Sequence, residues 1–177
     1  AEELPGRAEI QTIDVTDMDS VTAAVDAVGE VDGVVFLAGA YWPMKAKEWD
    51  VDKGVTMADV NFTGLMRVMG AVVPGMLARD AGHIVITGSL SGYRGLPGSI
   101  GYSASKAGMI GMARTWALEL APHGITVNVV APGPVQTDNF WGIIPKESER
   151  EAALAKRIPV GRLGQVEDVT NAFLFFC

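Results

Sequence analysis

Tyr102 and Lys106, one helical turn apart in the stretch YSASKAG, carry the first chemical signal of this 177-residue chain. Positions i and i+4 share a helix face. A free phenol titrates at about 10, too high to exchange protons readily at neutral pH. An ammonium beside it favours the phenolate and lowers that value, which is what a general acid or base needs. Ser89, in ITGSLSG, comes thirteen residues before Tyr102 and offers a hydroxyl that can stabilise charge developing on an oxygen. Asn61, in DVNFTG, falls inside a helical stretch, where its intrinsic propensity is poor. Its amide can bond neighbouring backbone or water. Singly, each position has an ordinary account: a solvated Tyr-Lys face, a turn serine, a local helix kink.

The elements that must position these residues alternate along the chain. AEIQTIDV (8–15) reads as a strand, and DMDSVTAAVDAVG (17–29) as a helix with Val21, Ala24, Val25 and Val28 on one face. Thr16 or Asp17 can cap that helix and Gly29 can end it. VDGVVFLAG (31–39) is an apolar run expected to be a strand buried on both faces. A helical stretch from Val51 to Arg79 leads to the strand HIVITGS (83–89) and a loop over 89–101 with glycines at 92, 95, 98 and 101. A helix over 99–120 stops at Pro122 and Gly124, before the strand ITVNVVAPG (125–133). Residues 134–165 read as irregular, with a short charged helix around 147–156, and a last helix starts at 166. Strand alternating with helix predicts an α/β fold with a parallel sheet in one domain. Ligands of such sheets bind beyond the carboxyl ends of the strands, here Gly39, Ser89 and Pro132-Gly133.

Bulk composition narrows the function classes. The chain is 49% hydrophobic and 20% charged, a globular balance. Its net charge is −7 without a Lys/Arg cluster, which argues against nucleic acid or an anionic membrane surface as partner. The longest apolar runs are broken by Gly, Pro or charge, so no membrane span is expected. Cys177 is the single cysteine, which excludes an internal disulfide and a thiolate zinc site. His83 and His123 stand apart in the sequence, and no metal site is expected. A cytoplasmic location is the default.

LAGA (37–40), DVNFTG (59–64), ITGSLSG (86–92), YSASKAG (102–108) and VNVVAPGPVQTD (127–138) together resemble the short-chain dehydrogenase/reductase family, in its order and spacing, over residues 8–176. The closest resemblance is to its 3-oxoacyl-carrier-protein reductase branch. The resemblance implies a Rossmann-like doubly wound parallel sheet and NAD or NADP as cofactor. It implies interconversion of a secondary alcohol and a ketone on a small-molecule substrate. It makes Tyr102 the general acid/base and Lys106 the group that lowers its pKa and binds the nicotinamide ribose. Ser89 would bond the substrate carbonyl, and Asn61 would hold a water relaying protons to Lys106. It further implies that Asp14 and Val15 meet the adenine, that Ala38 and Gly39 let backbone approach the cofactor, and that Pro132, Gly133, Val135 and Thr137 hold nicotinamide and pyrophosphate.

The chain also departs from the family. Leu37 replaces an Asn that normally braces the sheet. No two glycines lie two apart, so the glycine-rich phosphate loop has no counterpart. The first two strands and the last are expected to be missing, as in a chain truncated at both ends. In the family's strand order, 3-2-1-4-5-6-7, strand 8–15 would then lack neighbours and strand 31–38 would expose an edge. Trp42, Phe140 and Trp141 could wall an apolar substrate pocket. Helices 55–79 and 99–121 resemble the family's subunit-packing helices and imply a homo-oligomer, dimer or tetramer. The rival expectation is a non-enzymatic assembly module that dimerises through those helices.

Overall fold

The computed structural model describes residues 9–177. Asp17 caps helix α1 (Met18–Val28) by accepting from the Asp19 amide, and Gly29 ends it at φ 78°, a left-handed value that suits glycine. Three strands follow, β1 (Gly33–Phe36), β2 (Gly82–Thr87) and β3 (Ile125–Val130), and they pair in parallel in the order β1-β2-β3. Between β1 and β2 run α2 (Val51–Ala58), a π-helical turn (Asp59–Thr63) and α3 (Gly64–Arg79). Helix α4 (Ile100–Leu120) joins β2 to β3. Beyond β3 lie α5 (Asp138–Trp141), α6 (Glu149–Lys156) and α7 (Val166–Phe176). The parallel α/β architecture is therefore the one the alternating pattern predicts.

The core lies between the sheet and the helices α1, α3 and α4. Leu65, Met69, Met76, Ile84, Ile86, Met109 and Ile125 are all but fully buried there. Each such side chain contributes about 1.5–3 kcal/mol on leaving water. The continuous helical run Val51–Arg79 is long and apolar enough to cross a membrane by composition. Of its buried residues, Leu65, Val68, Met69, Val72 and Met76 belong to this core.

Two expectations fail. Residues 9–14 form no strand, residue 15 begins a turn, and residue 8 lies outside the described residues. An isolated strand has no ladder to satisfy its backbone, and among the described residues no neighbouring strand reaches this segment, so Ile10 and Ile13 stay exposed. Strand β1 is not buried on both faces. Val34 and Phe36 face the core, but Val35 is 42% exposed. Helix α7 packs on β2 and β3 rather than on β1, so among the described residues β1 is a sheet edge. Helix α5 is an addition to the stretch read as irregular, and Thr137 caps it through the Phe140 amide.

Candidate active site

The sheet order places the ends of β2 and β3 side by side. The Gly88 amide donates to Val130 O at 2.8 Å and the Leu90 amide to Pro132 O at 3.0 Å. Ser89 is thus held between two inter-strand bonds at the carboxyl edge. A Cβ on Gly88 would stand 2.7 Å from Val129 Cγ1, so only glycine allows this approach. Helix α4 returns past the same edge with Tyr102 and Lys106 in its first two turns.

Lys106 is 3% exposed, and its ammonium donates to Thr87 O at 2.7 Å. Burial pulls its pKa down to about 8. Its Nζ stands 5.6 Å from the centroid of the Tyr102 ring, over the face. The Tyr102 phenol is pushed above its ordinary value, first by burial and less by neighbouring Tyr41, while a hydrogen bond from Ser89 opposes the rise. The cation is turned to the Thr87 carbonyl and the ring face, and desolvation dominates the phenol.

Asn61 is fully buried in the π turn, so the helix does open at this residue. Its Oδ1 accepts from the Ala40 amide at 2.6 Å, and its Nδ2 donates to Ala40 O and to Ser105 Oγ, each at 3.0 Å. Ser105 in turn donates to the Tyr102 carbonyl at 2.9 Å. The side chain of Asn61 therefore ties the loop after β1 to the turn that carries Tyr102. Its side-chain amide is engaged by these protein partners. Asn61→Asp should destabilise the protein by about 2–5 kcal/mol, because a carboxylate would confront the Ala40 carbonyl in a buried site. Asn61→Ala should cost less, since it leaves groups unpaired without adding a charge. Chemical denaturation of both variants checks that ranking.

The remaining predicted positions are distributed as follows. Asp14 faces solvent and its carboxylate accepts from the Thr16 amide and hydroxyl at 2.8 and 2.7 Å, bonds that hold its pKa below the usual value. Val15 rests on Gly64, where a Cβ would come within 2.9 Å of it, and its carbonyl accepts from Arg67 Nη1 at 3.1 Å. Gly39 lies at the centre, since a Cβ there would stand 3.4 Å from Asn61 Oδ1 and 4.0 Å from Lys106 Nζ. Ala38 is half-buried beside it and packs on the core. Pro132 and Gly133 follow β3. Val135 forms a parallel bridge with Gly164, closed by Gly164 N to Pro134 O and Gln136 N to Gly164 O, both 2.9 Å. Phe140 and Trp141 pack edge to face at 5.0 Å within the excursion this bridge closes. Leu37, the departure from the family, is 66% exposed at the β1 end.

Three residues at the site were not singled out in the sequence. Tyr41 packs against Tyr102 with the rings tilted by 56° and their centroids 4.8 Å apart, and pairs with Ser99 at 3.1 Å between hydroxyls. Ser105 is reachable from sequence as the i+3 neighbour of Tyr102. Ser91, 4% exposed, donates to Ser89 Oγ from its hydroxyl at 2.9 Å and its amide at 3.2 Å. Nothing local in the sequence marks Tyr41. Among the described residues no group of His, Cys, Asp and Glu is arranged to hold a metal.

On this side of the sheet edge Gly39 presents no side chain next to the Lys106 ammonium, and the buried Thr87 hydroxyl lacks a partner among the described residues. A family model described as enoyl-(acyl carrier protein) reductase matches residues 1–177. The 3-oxoacyl-[acyl-carrier-protein] reductase of Thermotoga maritima is 40% identical over 99% of this chain and 72% of its own length. The structure of the 3-oxoacyl-[acyl-carrier protein] reductase of Brucella melitensis superposes with a TM-score of 0.89 at 36% identity, covering 97% of this chain and 65% of that one. The NADP-bound structure of ElxO superposes with a TM-score of 0.87 at 28% identity, over 93% of this chain and 68% of that one.

Proposed function

The chain belongs to the short-chain dehydrogenase/reductase family, and from that premise we propose that it reduces the ketone of a small-molecule substrate to a secondary alcohol, with Tyr102 giving the proton. The enzyme is an NAD(P)-dependent reductase, and the bound dinucleotide supplies the hydride. The carrying observation is the meeting of Ser89, Tyr102 and Lys106 at the carboxyl edge of β2, with Lys106 anchored on Thr87 O at 2.7 Å. Ser89 donates to the substrate oxygen as charge develops there. Tyr102, kept protonated by burial, passes its proton to the same oxygen. Lys106 would hold the ribose side of the cofactor, and its ammonium over the Tyr102 ring would support the phenolate left behind. Asn61 holds the 38–40 backbone against α4, so that the cofactor-facing glycine stays in register with the catalytic helix. Ala38, Pro132, Gly133, Val135 and Thr137 would line the nicotinamide end, with Asp14 and Val15 toward the adenine.

The substrate we favour is a 3-oxoacyl thioester, the class named for the relatives at 40% and 36% identity. The half-buried Phe140 and Trp141 would face its acyl part. We place the protein in the cytoplasm as a homo-oligomer that packs through helices 55–79 and 99–121. In favour of that packing, an apolar groove of about 420 Å³ between α2 and α4 is lined by Trp49, Phe62, Gly101, Ala104 and Gly108. The test is to follow NADPH and NADH absorbance with acetoacetyl-CoA and with simple ketones, on the full-length protein. Oxidation of either cofactor that depends on the ketone is expected. A folded preparation that binds neither dinucleotide and turns over no ketone, yet sediments as a dimer, would favour the assembly module instead.

A further inference from the structure

We infer that Ser91 is a positioning residue that sets the direction of the Ser89 proton; this rests on the reductase reading above. A serine hydroxyl has one proton to give and two lone pairs to fill. Both acceptor positions of Ser89 are engaged by one neighbour. Ser91 donates its hydroxyl to Ser89 Oγ at 2.9 Å and its backbone amide to the same atom at 3.2 Å. The short 3₁₀ turn Leu90–Gly92, with Ser89 as its cap, makes the double contact possible. Ser91 is 4% exposed, so water does not compete freely for its hydroxyl.

With its lone pairs filled, Ser89 can act only as a donor along its remaining direction. Ser89 interacts with Tyr102 and lowers the phenol, and the two contacts from Ser91 leave Ser89 the donor in that interaction. The chain of donation therefore runs Ser91 to Ser89 to Tyr102, and each link polarises the next. When a carbonyl substrate arrives, Ser89 already points a proton at its oxygen instead of offering a lone pair. Ser89 is thereby excluded as a base, and the proton delivered to the substrate comes from Tyr102.

Ser91→Ala removes the hydroxyl donor and leaves the amide. One lone pair of Ser89 is then free, its proton is no longer directed, and its donation to Tyr102 weakens. The expected kcat falls about fivefold, the worth of one neutral hydrogen bond. Tyr102 rises further, so the limb of the pH–rate profile that it governs moves to higher pH. The titratable groups facing Tyr102 are Tyr41, at 4.8 Å between ring centroids, and Lys106, at 5.6 Å from its ring. Neither is altered by the substitution.

The decisive measurement is a double-mutant cycle on the full-length enzyme, with Ser89→Ala, Ser91→Ala and the pair, reading kcat, KM and the pH profile. If Ser91 acts through Ser89, the second substitution costs nothing further in the Ser89→Ala background, and Ser91→Thr restores the single variant. Equal losses in both backgrounds, or a lowered kcat with an unmoved profile, would overturn the inference and leave Ser91 a packing residue. Full activity in Ser91→Ala would overturn it as well. If Ser89→Ala is itself without effect, the reductase reading fails, a result distinct from either outcome for Ser91. Circular dichroism and melting of each variant keep loss of fold apart from loss of function.

Discussion

Tyr102→Phe should lower kcat by about 10²–10⁴, the range that a positioned general acid supplies, while cofactor affinity stays within about twofold. The two effects separate because the ring and the hydroxyl do different work. The ring packs at a tilt against Tyr41 and underlies the Lys106 ammonium, and phenylalanine keeps both contacts. The hydroxyl carries the proton. Burial pushes its pKa above the ordinary value, and a group so shifted is protonated throughout the neutral range. The free enzyme is accordingly poised to donate, which suits ketone reduction. Oxidation of the alcohol needs the phenolate and should speed up as pH rises. Rapid-mixing turnover and fluorescence titration with NADPH measure the two quantities. Retention of most of the wild-type kcat would remove Tyr102 from the chemistry.

Lys106→Met should yield a protein that is more stable at neutral pH and a far poorer enzyme. Burial brings the Lys106 pKa from 10.5 to about 8. Between those values the unfolded chain holds a proton that the folded chain has released, so stability rises with pH across that window. Below about pH 8 the folded protein bears the whole cost of burying the ammonium, roughly 3 kcal/mol for such a shift. Methionine fills the same space without that cost, though it leaves the Thr87 carbonyl short of its donor, an offset of about 1 kcal/mol. The variant should therefore gain about 2 kcal/mol at pH 7, and its stability should lose the increase between pH 8 and 10.5. Cofactor affinity should drop at least about tenfold, the worth of a charge-assisted hydrogen bond. In the wild type that affinity should weaken as pH rises through about 8, and in the variant it should be flat. Urea titrations across pH together with cofactor binding test both halves. A variant less stable at pH 7, with unchanged affinity, would contradict the role given to this ammonium.

What the sequence made legible follows from where the information is local. Val34, Phe36, Ile84, Ile86 and Ile125 lie in short apolar runs ending in Gly or Ser, so strand placement and the parallel class could be read directly. Tyr102 and Lys106 declare their shared face through spacing alone. A kink at Asn61 was one reading its poor propensity allowed, but its partner could not be read, because the backbone of Ala40 lies 21 residues away. The strand expected over 8–15 failed for the opposite reason. Its apolar pattern is adequate, but a strand is a property of a pair. Ser91 was hidden because a serine in a glycine-rich turn is ordinary until the fold buries it. The burial that raises the Tyr102 phenol could not be read, because four-residue spacing fixes a face and not how deeply the fold covers it.

The bridge between Val135 and Gly164 has an evolutionary consequence. Its two hydrogen bonds fasten the base of an excursion that carries α5 and α6, so the framework of β3 and α7 is closed independently of what the excursion contains. Arg162 strengthens the closure by gripping Asp168 at 2.6 and 3.0 Å at the start of α7. Lengthening a loop whose ends are already fixed costs little, only about 0.6 kcal/mol for each doubling. Insertions, deletions and substitutions between residues 138 and 160 can thus accumulate with small penalties to folding, while Ser89, Tyr102 and Lys106 stay where they are. On the function proposed above, a lineage built on this plan would exchange its substrates by rewriting one detachable passage and inherit its hydride chemistry unaltered.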